Sequence, residues 1–170
     1  MTEKKKDSQE LLNSLRERAK ELNCLYMADE ILMTDKPLKD KLQALADSIP
    51  QGWYSPQHCE ARIVYMDGDY RSKDFAEGGP RLTEDLVING GTVGSITVSY
   101  PEKVPELERG GAFLPEEKKL IKTLAKRISH TILHESLSHM FQEDQLDEHA
   151  GSRSGSESWR TILDMLLITD

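Results

Sequence analysis

The sequence is short of cysteine, aromatic rings, basic charge and long apolar runs, and each shortage narrows what the chain can be. Cys24 and Cys59 are the two cysteines in 170 residues, too few for a disulfide framework and without a Cys-x-x-Cys pair for a metal. They point to a reduced, cytoplasmic protein. Acidic residues outnumber basic ones 30 to 22, giving a formal net charge of −8. A surface that tracks a phosphate backbone is therefore not expected, and nucleic acid is not an expected partner. The basic run Lys4-Lys5-Lys6 precedes acids and reads as a solvated chain end. No apolar run approaches the roughly 20 residues that span a bilayer, and the first thirty residues hold nothing like a signal peptide, so no membrane partner is expected.

What is present suits one folded body with some solvated helix or linker, since 37% of residues are hydrophobic and 31% charged. Residues 8–33 read as one helix with two apolar faces. At 100° per residue, Leu11, Leu12, Leu15, Ala19, Leu22 and Tyr26 share one arc, while Cys24, Leu25, Ala28, Ile31 and Leu32 lie roughly opposite. Leu38 to Ile49 forms a second, shorter helix, closed by Pro50.

The middle of the chain alternates with period two. Cys59, Ala61, Ile63 and Tyr65 take one side of a strand, Asp67-Gly68 signals a turn, and Tyr70 to Phe75 returns. After a Gly78-Gly79-Pro80 break, Leu82–Ile88 and Val93–Tyr100 flank the hairpin signal Asn89-Gly90-Gly91. Tight turns without crossover helices predict a four-stranded antiparallel meander. Leu114-Pro115-Glu116-Glu117 opens a long helix, with proline in its first turn and acids at the positive dipole end. Leu120, Ile121, Leu124, Ile128 and Ile132 share one face of it; Leu133, Leu137, Met140 and Phe141 lie on the other.

The fold class is therefore α+β, a four-stranded antiparallel sheet covered by helices. The displaced stripes at the helix ends predict a bundle in which those ends pack together, within one chain and across a homodimer. Leu11, Leu15, Leu22, Leu133, Leu137 and Met140 are its expected interface. Residues 1–141 form the domain, 142–158 a flexible polar link around Gly151-Ser152-Arg153-Ser154-Gly155-Ser156, and 159–170 the start of a truncated downstream helix.

Several segments resemble a known family. Asn23-Cys24-Leu25-Tyr26, Ile49-Pro50-Gln51-Gly52-Trp53, Ala61-Arg62-Ile63, the stretch from Gly94 to Tyr100, and Phe113-Leu114-Pro115-Glu116-Glu117 are similar to a compact GAF/PAS-like sensor domain of prokaryotic signalling proteins. The similarity runs over roughly residues 12–141. The segment Ser158–Asp164 resembles the lead into phosphoenolpyruvate synthase-like dikinases, the pyruvate phosphate dikinase type, that carry this sensor. One departure is Gly78-Gly79-Pro80, where relatives of that kind place a tryptophan soon after the position of Phe75. The resemblance implies a regulatory module that binds a small molecule or protein and passes a signal along its helices to a downstream phosphotransferase. The chain itself shows no phosphate-cradling loop and no phosphohistidine domain, so catalysis is not expected of it.

Chemistry-bearing residues are few. Trp53, Arg62, Tyr65 and Phe75 are the candidates for a ligand pocket on the helix-facing side of the sheet or at its rim. Trp53 and Tyr54, between Pro50 and Pro56, also suit a rigid corner capping the core. His130 and His134 share a helix face, but His134 to His139 is one residue too long for the zinc motif HExxH, so they read as a solvated polar face and no metal is assigned. No cofactor is identified. His134-Glu135 gives an alternative, the sensor portion of a histidine-kinase-like signalling protein; an unrecognised activity of the chain itself is another. Cys24 and Cys59 both fall on core faces and read as buried structural thiols.

Overall fold

Glu60–Tyr65 (β1), Gly68–Arg71 (β2), Arg81–Ile88 (β3) and Gly91–Ser99 (β4) pair into one antiparallel sheet in the order β2-β1-β4-β3. The computed structural model describes residues 2–73, 75, 78–101 and 112–149, with the backbone alone at 2–7, 10 and 139–149. Three helices complete the α+β fold: Thr2–Leu32 (α1), Leu38–Ser48 (α2) and Pro115–His149 (α3). Between α2 and β1 the chain makes two short 3-10 turns, Ile49–Gly52 and Pro56–His58. Residues 142–149 of the expected polar link continue α3 as helix, and the rest of that link and the expected terminal helix lie outside the described residues.

Local chemistry explains the two hairpins. Asn89 and Gly90 take φ of 50° and 76°, the left-handed pair that a two-residue hairpin turn needs. The β1–β2 turn falls on Met66-Asp67, with Met66 at φ 50° and Gly68 already paired with Tyr65. That is one residue earlier than the Asp67-Gly68 signal suggested.

The strand order departs from a meander. The β3–β4 hairpin lies beside β1, not beside β2. Burial gives the reason. Ala61 and Ile63 of β1 and Ile96 and Val98 of β4 are wholly buried, and such strands need a neighbour on each side. β2, Gly-Asp-Tyr-Arg, is half exposed and suits an edge. Gly94 permits the β1–β4 contact, since a Cβ there would stand 2.1 Å from the Val64 carbonyl oxygen.

The helices cover one face of this sheet. α2 packs on β1 and β2, α3 on β3 and β4, and α1 packs on α2, α3 and the first 3-10 turn. Leu42, Leu45, Ile49, Ile121, Leu124, Ile128 and Ile132 meet the inward sheet residues there, with Trp53 at the corner. On α1 the core side is Cys24, Ala28 and Leu32, the second of the two arcs read from the sequence.

Among the described residues the expected bundle of free helix ends is not seen. Cys24 and Leu120 both close on Gly52, Arg127 donates to the Leu25 carbonyl at 3.1 Å and pairs with Asp29, and Met33 shares a groove with Thr131. Residue numbers rise together along both helices, so α1 and α3 run parallel. The first half of α1 therefore projects from one end of the domain and the last part of α3 from the other. Parallel packing separates ends that an antiparallel pair would have joined.

Candidate functional site

The register of the sheet sets out its helix-free face. Arg71, Arg62, Thr97 and Thr83 stand opposite one another across the four strands, and Asp69, Val64, Ser95 and Asp85 form the next row. Side chains two apart on a strand share a face, so Asp69 lies within reach of both arginines. Its carboxylate accepts from Arg62 Nε and Nη2 at 2.8 and 2.9 Å, and from Arg71 Nη2 at 2.7 Å. These hydrogen bonds hold the Asp69 carboxyl well below the usual carboxylate range. Arg71 also lies 5.4 Å from the centre of the Phe75 ring, within cation–π range. Thr83 and Thr97 join their hydroxyls at 3.0 Å. The face is polar, charged and hydrogen-bonded within itself.

A cleft of about 500 Å³ opens at the end of this sheet, between the 3-10 turns and the strand ends. Pro50, Pro56, His58, Cys59, Glu60 and Lys73 are among its walls. His58 Nδ1 is hydrogen-bonded to Ser55 Oγ at 2.8 Å, a local contact across three residues. Burial pushes the Cys59 thiol far above its ordinary range, with the charge of Glu117 adding to the effect. Burial likewise raises Cys24 to about 11. Neither thiol is ionised near neutrality, so neither acts as a nucleophile there.

Beneath the cleft, Glu117 ties three segments together. It is 2% exposed and accepts from Tyr100 Oη at 2.7 Å, from Tyr54 N at 3.0 Å and from Leu114 N at 2.8 Å. Glu117 sits at the third position of α3 and caps its first turn, as half of a capping box does. Tyr100 stacks on Phe113, ring centres 5.3 Å apart, and its hydroxyl pKa is raised by burial and by Glu117. A carboxylate this buried, with three hydrogen bonds from its own chain, suits a structural role.

The four candidate ligand residues are not brought together. Trp53 is wholly buried in the core, its Nε1 without a partner among the described residues. Tyr65 follows Ala61 and Ile63 on the helix-facing side. Arg62 lies on the opposite face, and Phe75 meets Arg71 of that face. Asp69 and Arg71 were not singled out, although their period-two spacing opposite Arg62 carries the signal. Glu117 read only as a dipole partner; its spacing after Leu114 was the available cue. Of the expected interface, Leu11, Leu15 and Leu22 are exposed, Leu133 and Leu137 are half-buried, and the Met140 side chain lies outside the described residues.

His130 and His134 are exposed on α3, and the Glu135 carboxylate is paired with Lys41 of α2. Among the described residues no three of His, Cys, Asp and Glu gather as metal ligands, and no helix is long and apolar enough to cross a membrane. The chain matches no family model, and no curated protein is significantly similar to it.

Proposed function

We propose that the chain is a regulatory sensor module, working as a homodimer, that takes a small polar ligand on the helix-free face of its sheet. The signal passes through the helices to a downstream region, which the resemblance of the tail makes a phosphoenolpyruvate synthase-like dikinase. One observation carries the reading: all three helices lie on one face, and the other presents Arg62, Asp69 and Arg71 beside Phe75 and the cleft. Two guanidinium groups sharing one carboxylate, with an aromatic ring alongside, suit an anionic group on a planar ligand. Because β1 and β2 carry these residues and α2 packs on both strands, a ligand there acts directly on a sheet–helix contact.

Native mass spectrometry of the purified chain tests this, followed by titration of the recovered molecule while following amide shifts. The expected result is a retained small anion whose shifts cluster on β1 and β2 and whose affinity falls at least tenfold in Arg62→Ala. Shifts confined to the core corner at Trp53, or an unchanged affinity in that variant, would refute the site.

A further inference from the structure

The apolar face that α1 turns away from the domain has a spacing of its own. Leu12, Leu15, Ala19, Leu22, Tyr26 and Met33 follow one another in steps of three and four, with Asp29 filling the place between the last two and Met33 one residue past the end of α1. That is a heptad repeat of core positions, averaging 3.5 residues, and such a repeat fits a second helix with the same repeat wound around it. A stripe that docks on a globular surface has no need of that period. The large apolar side chains of the seam are open to solvent: Leu22 is 67% exposed, Tyr26 60% and Met33 83%. The core face of α1, Cys24, Ala28 and Leu32, lies on the opposite side of the helix.

We infer that this seam pairs, parallel and in register, with the α1 seam of a second copy of this chain. Its own α3 is excluded as the occupant, because α3 packs alongside the core half of α1 and sends its free end the other way. In-register parallel pairing sets Leu12, Leu15, Ala19, Leu22, Tyr26 and Met33 each against its own counterpart. An antiparallel pairing of the same seam sets Leu12 against Asp29 and Met33 against Ser8. Flanking positions agree with the parallel form: Leu11 faces Arg16, Arg18 faces Asn23 and Leu25 faces Glu30 of the other copy, with no like charges opposed. The charged seam residue, Asp29, is already paired with Arg127 of its own chain. Each core face lies on the far side of its own α1 from the seam, and in a parallel pair both α3 ends leave in the same direction. The assignment also explains why α1 is helical so far beyond the domain. The first residue of α1 with a described contact to the domain is Lys20, which bonds the Tyr54 carbonyl, and the helix before it needs a partner to be stable in water.

This inference deepens the homodimer of the proposed function but fails separately from it. A monomer that still retains an anion at Arg62 would sink the seam and leave the sensor. The test is analytical ultracentrifugation of the full chain with site-specific cross-linking. The expected mass is twice 19.3 kDa. Leu15→Cys and Leu22→Cys, each alone, should oxidise to an intermolecular disulfide, because like meets like only in the parallel register. Glu17→Cys, on the outer side of the helix, should not. The pair Leu15→Glu and Leu22→Glu should give a monomer whose near-ultraviolet spectrum and urea unfolding match those of the parent. A parent chain that is monomeric at 1 mg/ml or about ten times that, a dimer untouched by the two glutamates, or cross-links that require Leu15→Cys mixed with Tyr26→Cys would each overturn the assignment.

Discussion

Glu117 shows what one side chain contributes when it is buried among backbone donors. Tyr54, Leu114 and the Tyr100 hydroxyl all give their hydrogens to it. Replacing it with alanine takes the acceptor from one buried and two part-buried donors at once, and such a loss costs about 3 kcal/mol. Glu117→Gln keeps an acceptor and should cost about half as much. Urea unfolding of both variants measures this; a loss below roughly 0.5 kcal/mol for the alanine would mean that water replaces the carboxylate at no cost. The Arg62–Asp69–Arg71 cluster is the contrasting case. It is solvent-exposed, so its ion pairs contribute little to stability.

At the scale of elements, the β1–β4 pairing depends on the missing side chain of Gly94. Cross-strand backbones approach so closely that a Cβ would meet the Val64 carbonyl oxygen at 2.1 Å. Backbone atoms cannot turn aside as a side-chain tip can. Gly94→Ala should therefore cost at least about 1–3 kcal/mol, the range for overpacking a well-filled site. Amide exchange should show the loss concentrated on β1 and β4, while the Asn89-Gly90 turn keeps its protection. Equal loosening of all four strands would contradict it. α2 and α3 are joined at a different point, where Lys41, 6% exposed, pairs with Glu135. That bond links a sheet-covering helix to the part of α3 that leaves the domain.

The whole molecule should lose stability on the alkaline side. Burial holds Cys24 at about 11 and Cys59 higher still, whereas an unfolded thiol ionises near 8.5. The folded state keeps protons that the unfolded state releases, so the stabilisation is complete below about pH 8.5 and is lost as pH rises toward the folded values. Between pH 8.5 and 10.5 the unfolding free energy should fall by roughly 1.4 kcal/mol per unit for each thiol. Cys24→Ala should make the slope shallower; a flat profile in the parent chain would show the thiols to be reachable by water.

Period-two alternation, helical arcs and the Asn89-Gly90 signal are local properties, and they determined the α+β class, four strands, the three helices of the described residues and the two faces of α1 from the sequence by itself. The buried thiols and the core arc of α3 were legible for the same reason: a side chain's face follows from its place in a regular element. What only the tertiary structure decided concerns residues far apart in the chain. The β3–β4 hairpin joined β1 and not β2, which set the two most buried strands, β1 and β4, at the centre of the sheet. α3 ran parallel to α1, which parted the free helix ends. Trp53 and Tyr65 went to the core side and Arg62 to the other, so the four candidate ligand residues divided between two faces. Alternation fixes which residues share a face of one strand, but which face is covered depends on where the helices pack.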